Sequence, residues 1–217
     1  MTKFEKLDRL PPYVLAIVND LKLKARRAGE DVVDLGFGNP NHGVPAHVVE
    51  KLVEAARDPR NHHYSASRGL PNLRRAMSRW YLRNFSVELD PETQVISTIG
   101  AKEGLSHFVL AAIARGDIRR VPLLPLDGLL ERLEEATQAS WPRPKMLIAS
   151  FPHNPTTATV DLPFLTRMVD FCRRHDLIFV HDLAYAEICY DGYRPPSALQ
   201  VPGALDCTIE FTSLSKS

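Results

Sequence analysis

Leu177-Ile178-Phe179-Val180-His181-Asp182 is an apolar run that ends in an acid. Six residues suit a strand better than a helix, and the run reads as a strand inside a sheet covered on both faces. Upstream, Leu162, Leu165, Met168, Val169 and Cys172 recur at helical spacing and mark an amphipathic helix. Before that helix, Met146-Leu147-Ile148-Ala149 reads as a buried strand. Strand, helix, strand in this order is the signature of an α/β domain with a mostly parallel sheet. In such sheets ligands bind at the carboxyl ends of the strands.

The same alternation extends outward. A helix is expected from Pro12 to about Gly29, a strand at Val32-Val33-Asp34-Leu35, and a second helix from Pro45 to about Arg57. Another helix runs from Pro71 to Phe85, with Leu70, Leu73, Ala76, Met77, Trp80 and Tyr81 on its apolar face. Trp80 therefore reads as core. Val95 to Ile99 alternates as a strand, Gly100 breaks it, and Ala101 to about Ala114 is helical. Thr208-Ile209-Glu210-Phe211 is a last strand-like run.

Bulk properties exclude several classes. The 217 residues are 44% hydrophobic and 24% charged, with a net charge of +1, as in an ordinary globular protein. That balance favours neither nucleic acid nor an anionic membrane. The basic residues Lys22, Lys24, Arg26 and Arg27 fit the solvated face of the first helix. Cys172, Cys189 and Cys207 are odd in number and widely spaced, which suggests free thiols in a reducing compartment, with the cytoplasm the default. No signal peptide, transmembrane run or metal-ligand spacing is expected. No Gly-x-Gly-x-x-Gly turn or Gly-x-x-x-x-Gly-Lys loop supports a nucleotide-binding domain.

Four features fall at expected strand ends. Gly100-Ala101-Lys102-Glu103 opens a helix whose free N–H groups suit a phosphate, and serves equally as a simple turn. Asn154 precedes Pro155, as turn formers do, and offers an amide donor. Asp182 ends a buried strand and needs a cationic or hydrogen-bonding partner, with Tyr185 three residues on. His181 points to the other sheet face by strand alternation. Last comes Ser213-Leu214-Ser215-Lys216-Ser217, where hydroxyls suit a phosphate and the amine suits an aldehyde.

In this order these stretches resemble the fold-type I pyridoxal-phosphate enzymes, specifically the class I and II aminotransferases. Arg9-Leu10-Pro11-Pro12-Tyr13, Tyr64-Ser65-Ala66-Ser67-Arg68-Gly69 and His181-Asp182-Leu183-Ala184-Tyr185 place the resemblance near the bacterial alanine and LL-diaminopimelate aminotransferases. It implies a three-layer α/β/α large domain, incomplete here, over residues 45–217. Residues 1–44 would form an N-terminal helical arm and part of a small domain. By the same resemblance Lys216 forms a Schiff base with pyridoxal 5'-phosphate and then moves the substrate Cα proton. Asp182 keeps the pyridine nitrogen protonated. Tyr185 and Asn154 bond the phenolic oxygen. The Gly100 turn, Ala101, Lys102, Ser213 and Ser215 hold the phosphate. Tyr64 reaches the phosphate of a neighbouring subunit, which implies a homodimer, and Gly38 approaches the substrate carboxylate. The substrates would be an amino acid, alanine-like or glutamate, and a 2-oxo acid.

The chain departs from that pattern. Asp117 runs directly into Ile118-Arg119-Arg120-Val121-Pro122, where the family has a strand, a loop bearing the ring that stacks on the cofactor, and a helix. Losing a strand should leave exposed edges. The later phosphate-binding arginine and the carboxylate-binding arginine have no counterpart, and Thr157 stands where many relatives have glycine. The expectation is a partial copy. Two alternatives stay open: a lyase or related amino-acid enzyme of the same fold, and a non-catalytic fragment.

Overall fold

The computed structural model describes residues 11–36, 42–64, 66–113 and 118–216. Internal contacts divide the chain into one unit up to Asn61 and another from His62.

The first unit holds helices α1 (Val14–Arg27) and α2 (Ala46–Arg57). The α1 stop is a Schellman closure: Glu30 N–H donates to Ala25 O at 3.1 Å and Gly29 N–H to Arg26 O at 3.1 Å. Residues 32–35 are not a strand. Asp34 instead pairs with Lys22 at 2.8 Å, and Val33 and Leu35 face solvent. Strand conformation persists only in a ladder, and no described segment of this unit offers one.

The second unit contains α3 (Pro71–Phe85), α4 (Ala101–Ala112), α5 (Leu129–Gln138), β1 (Met146–Ser150), α6 (Leu162–Arg174), β2 (Ile178–Asp182) and β3 (Thr208–Phe211). The strands form one parallel sheet in the order β1-β2-β3, with Ser150 opposite Asp182 and Asp182 opposite Phe211. One face carries Leu147, Phe179 and His181. Phe179 joins the core formed by Phe164, Leu165, Met168 and Cys172 of α6 and Leu129 and Leu133 of α5. The other face carries Ile148, Asp182 and Phe211, and α4 packs there through Gly104. A Cβ at Gly104 would stand 2.9 Å from the Phe211 ring. Helices on both faces make three layers, as the alternation implies.

The α6 helix starts cleanly because the Asp161 side chain accepts from Phe164 N–H at 2.8 Å. Helix α5 was not anticipated; its signal is Gly128 followed by Leu129, Leu130, Leu133 and Ala136 at helical spacing. Residues 95–99 run as an extended loop, not a strand, tied by the Ser97 N–H to Arg68 O bond at 3.1 Å and the Ile99 N–H to Glu103 bond at 3.0 Å. Ile99 is 95% exposed for the same reason: no neighbouring strand covers it among the described residues. Met146–Ser150 is less buried than its composition implies, since Ile148 is 46% exposed on the face that α4 covers only beside β3. On α3 only Tyr81 of the apolar set is buried, and Leu70 and Leu73 are exposed. Trp80 is half-buried, stacks edge-on against Tyr81 and Phe85, and donates to Glu187 at 3.1 Å.

All three cysteines are free, and burial pushes the Cys172 thiol up to about 12. The segment after Ile118 is clamped by one side chain. Arg132 donates to the carbonyls of Pro122 at 3.1 Å, Asp127 at 3.3 Å, Leu123 at 3.3 Å, and Pro125. Arg132→Ala removes four charge-assisted bonds and should lower the unfolding free energy by about 1–3 kcal/mol in a urea titration. An unchanged midpoint would show the clamp to be idle.

Candidate active site

The three strands end side by side, and the loops that leave them carry the residues singled out above. β1 feeds the loop with Asn154, β2 ends on Asp182 and turns into Tyr185, and β3 runs through Thr212 into Ser213, Ser215 and Lys216. Strand alternation decides the sidedness. Asp182 lies on the α4 face, whereas His181 is fully buried on the opposite face, at 2.7 Å from Glu210.

Asn154 Nδ2 donates to the Tyr185 hydroxyl at 3.1 Å, so two loops far apart in sequence meet at one polar point. The Lys216 ammonium lies 5.8 Å from the centroid of the Tyr185 ring, and faces that ring instead of a carboxylate among the described residues. Lys216 belongs to a single 3₁₀ turn, Leu214–Lys216, in which Ser215 N–H donates to Ser213 Oγ at 3.1 Å. The Asp182 carboxylate is oriented by its own turn, where Oδ1 accepts from Ala184 N–H at 3.2 Å.

Helix α4 approaches from the sheet's Asp182 face. Its N-cap, Gly100, has φ of 101°, which side chains other than glycine rarely tolerate. Glu103 folds back to accept from Ile99 N–H at 3.0 Å, and no side chain caps the first turn. The backbone N–H groups of Ala101 and Lys102 therefore point out of the helix end, with the positive end of the helix dipole behind them. Gly104, one turn further, allows this helix to lie directly on Phe211 and Thr98.

Asn154, Asp182, Tyr185 and Lys216 are thus brought to neighbouring strand ends. Tyr64 stands fully exposed at the surface, before α3. Gly38 lies outside the described residues. Thr157, in the Asn154 loop, has φ of 57°, the left-handed region, which costs a β-branched residue about 1–2 kcal/mol. A glycine at this position would avoid that cost. An open cleft of about 530 Å³ lies elsewhere, lined by Gly128, Glu131, Asp161, Arg167 and Tyr193. It shares no residue with the constellation.

These residues fit pyridoxal phosphate as a group: a primary amine, a carboxylate and a phenol–amide pair at adjacent strand ends, with hydroxyls and an open helix terminus for a phosphate. Sequence reasoning did not single out Glu210, whose buried carboxylate accepts from the Tyr81 hydroxyl at 2.9 Å. A strand-like Thr-Ile-Glu-Phe run with an acid on the face opposite Phe211 was the available signal.

Comparison with known proteins agrees with the geometry. The family model described as "Aminotransferase class I and II" matches residues 30–122 and 106–217, two stretches that overlap around the Asp117–Ile118 junction. Glutamate-pyruvate aminotransferase AlaC of Escherichia coli K12 is 47% identical over 99% of this chain and 58% of its own length. An LL-diaminopimelate aminotransferase of Nitratidesulfovibrio vulgaris DP4 is 40% identical over 100% of this chain and 62% of its own. Substrate-bound BacF from Bacillus subtilis superposes with a TM-score of 0.89 at 26% identity, covering 100% of this chain and 60% of that one. Aspartate aminotransferase from Thermus thermophilus with maleate gives a TM-score of 0.83 at 26% identity. The chain spans about 60% of the length of these relatives. The alignments to the first two run over 237 and 242 residues, more than the 217 of this chain, so both relatives carry residues without a counterpart here. With the three-layer parallel sheet, the strand-end lysine, aspartate, tyrosine and asparagine, and these matches, the chain belongs to the class I and II aminotransferases, a family of pyridoxal-phosphate-dependent enzymes.

Proposed function

We propose that this chain binds pyridoxal 5'-phosphate at its strand ends and moves an amino group between an amino acid, alanine-like or glutamate, and a 2-oxo acid. The observation that carries the reading is the meeting of Asn154, Tyr185 and Lys216 beside the strand end that bears Asp182. When bound, the cofactor supplies an aldehyde that condenses with amines and a ring that draws electrons from the substrate Cα.

The chain's own residues do the rest. Lys216 Nζ takes the proton from the substrate Cα and returns it, as a general base carried on the short turn Leu214–Lys216. Asp182 holds a proton at the ring nitrogen by placing a carboxylate next to it. Asn154 occupies the Tyr185 oxygen as a donor, so the tyrosine's own O–H is free to donate outward, toward the phenolic oxygen. Ala101 and Lys102 N–H groups, with Ser213 and Ser215, grip the phosphate. Full exposure of Tyr64 supports its service to a second subunit's phosphate, hence a homodimer. Three free thiols support a cytoplasmic setting. No helix among the described residues is long and apolar enough to cross a membrane. The arm of residues 1–44 and the cofactor-binding body of 45–217 remain our proposed division.

The test starts with the purified chain and pyridoxal phosphate. A visible absorbance band should appear and be lost in Lys216→Ala, and single-turnover mixing with L-alanine should release pyruvate without ammonia. The absence of a Lys216-dependent band would sink the proposal. Pyruvate released together with ammonia would make the protein a lyase.

A further inference from the structure

We infer that Glu210, which no sequence motif singles out, is the positioning residue that holds Asp182 and the Lys216 turn in place for the cofactor. The inference rests on the cofactor site proposed above.

The Glu210 side chain is 0% exposed, and each of its oxygens takes two partners. Oε1 accepts from the Tyr81 hydroxyl at 2.9 Å and from Ser197 Oγ at 2.7 Å. Oε2 accepts from Ala198 N–H at 2.9 Å and lies 2.7 Å from His181 Nδ1. Two lone pairs per oxygen are then used, so the histidine's Nδ1 is the donor of that pair and its buried Nε2 is left without a partner. The donors come from α3, β2 and the turn at Ser197 that opens a short 3₁₀ helix. One carboxylate therefore ties together elements from residue 81 to residue 210 in a water-free position, where an unpaired carboxylate could not persist.

The knot lies one residue from the chemistry on both strands. His181 and Glu210 are register partners, and the next pair in the ladder is Asp182 and Phe211. The Tyr81 hydroxyl also meets the Thr212 side chain, on the segment that leads into Ser213 and Lys216. Burial and the nearby Glu210 raise the Tyr81 phenol well above its ordinary value, so it persists as a donor. Fixing His181 and Glu210 below the sheet thus fixes Asp182 and the lysine turn above it. Catalytic groups need such support, because their own turns are short and half-exposed.

A knot that only stabilises the core would change how much protein is folded, not how tightly the folded protein binds. The experiment separates the two by titrating pyridoxal phosphate into the chain and following the Lys216-dependent band. Glu210→Gln keeps the side chain's shape but presents an amide N–H where two donors need an acceptor. Its binding midpoint should rise about tenfold or more, as loss of supporting hydrogen bonds does around other cofactors and metals. Tyr81→Phe, which keeps three of the four partners, should give a smaller rise in the same direction. Arg132→Ala, destabilised but remote, should bind at the wild-type midpoint. If Glu210→Gln, or Tyr81→Phe should the former not fold, is less stable yet binds at the wild-type midpoint, Glu210 is a core knot and the inference is wrong. If the wild-type chain itself gives no Lys216-dependent band, the cofactor reading fails along with it.

Discussion

Replacing Phe179 with alanine lowers the unfolding free energy by about 3–5 kcal/mol in denaturant titrations. Phe179, the second residue of β2, is 0% exposed, and its ring stacks on His181 with centroids 5.7 Å apart. Its backbone N–H holds β2 to the chain before β3, donating to Cys207 O at 2.7 Å. Truncation leaves a cavity between the sheet and α6 that the surrounding Leu165, Met168 and Phe171 fill only in part. With domains stable by about 5–15 kcal/mol, this one change consumes a large share of the total. Ile148→Ala, on the other face of the same sheet and half-exposed, should cost about 1 kcal/mol or less. Equal losses at the two positions would mean that the α6 side of the sheet is not the core.

Asp182→Asn should slow amine transfer from L-alanine by about two to three orders of magnitude in a single-turnover assay. The Lys216-dependent band should persist, because the amine that produces it is untouched. The reason is the division of labour within the carboxylate. Its Oδ1 is occupied by Ala184 N–H, which sets the orientation, and the side chain's negative charge faces the α4 side of the sheet. The isosteric amide keeps the turn but cannot hold a proton on a pyridine nitrogen by charge. Transfer within threefold of the wild-type rate would remove Asp182 from its role and leave Lys216 as the sole reacting group.

Much of this was legible along the chain because apolar runs and helical spacing report burial directly. Met146 to Ser150, Ile178 to Asp182 and Thr208 to Phe211 became strands, and Leu162 to Arg174 became the helix that covers them. Val95 to Ile99 has the same alternation and is no strand, since alternation states a preference and a neighbour supplies the hydrogen bonds. The α3 face misled for a related reason. Leu70 and Leu73 have helical spacing, but spacing names a face and not what lies against it, and here only Tyr81 is buried. Helix α5 escaped notice because charged residues interrupt its leucines and Gly128 marks its start weakly.

The candidate site divides in the same way. Lys216, Asp182, Tyr185 and Asn154 were visible as residue types at expected strand ends, so sequence alone determined the family and the chemistry it implies. Their assembly was decided by tertiary structure. The 3.1 Å bond between Asn154 and Tyr185, and the 5.8 Å approach of Lys216 to the tyrosine ring, join loops that three parallel strands happen to end beside one another. Glu210 was decided wholly by the fold. A glutamate in a strand reads as a solvated face, and only burial with four donors reveals it as a brace. The physical reason is that a local pattern encodes the conformation of its own segment, whereas a buried polar group is defined by partners that the rest of the chain must deliver.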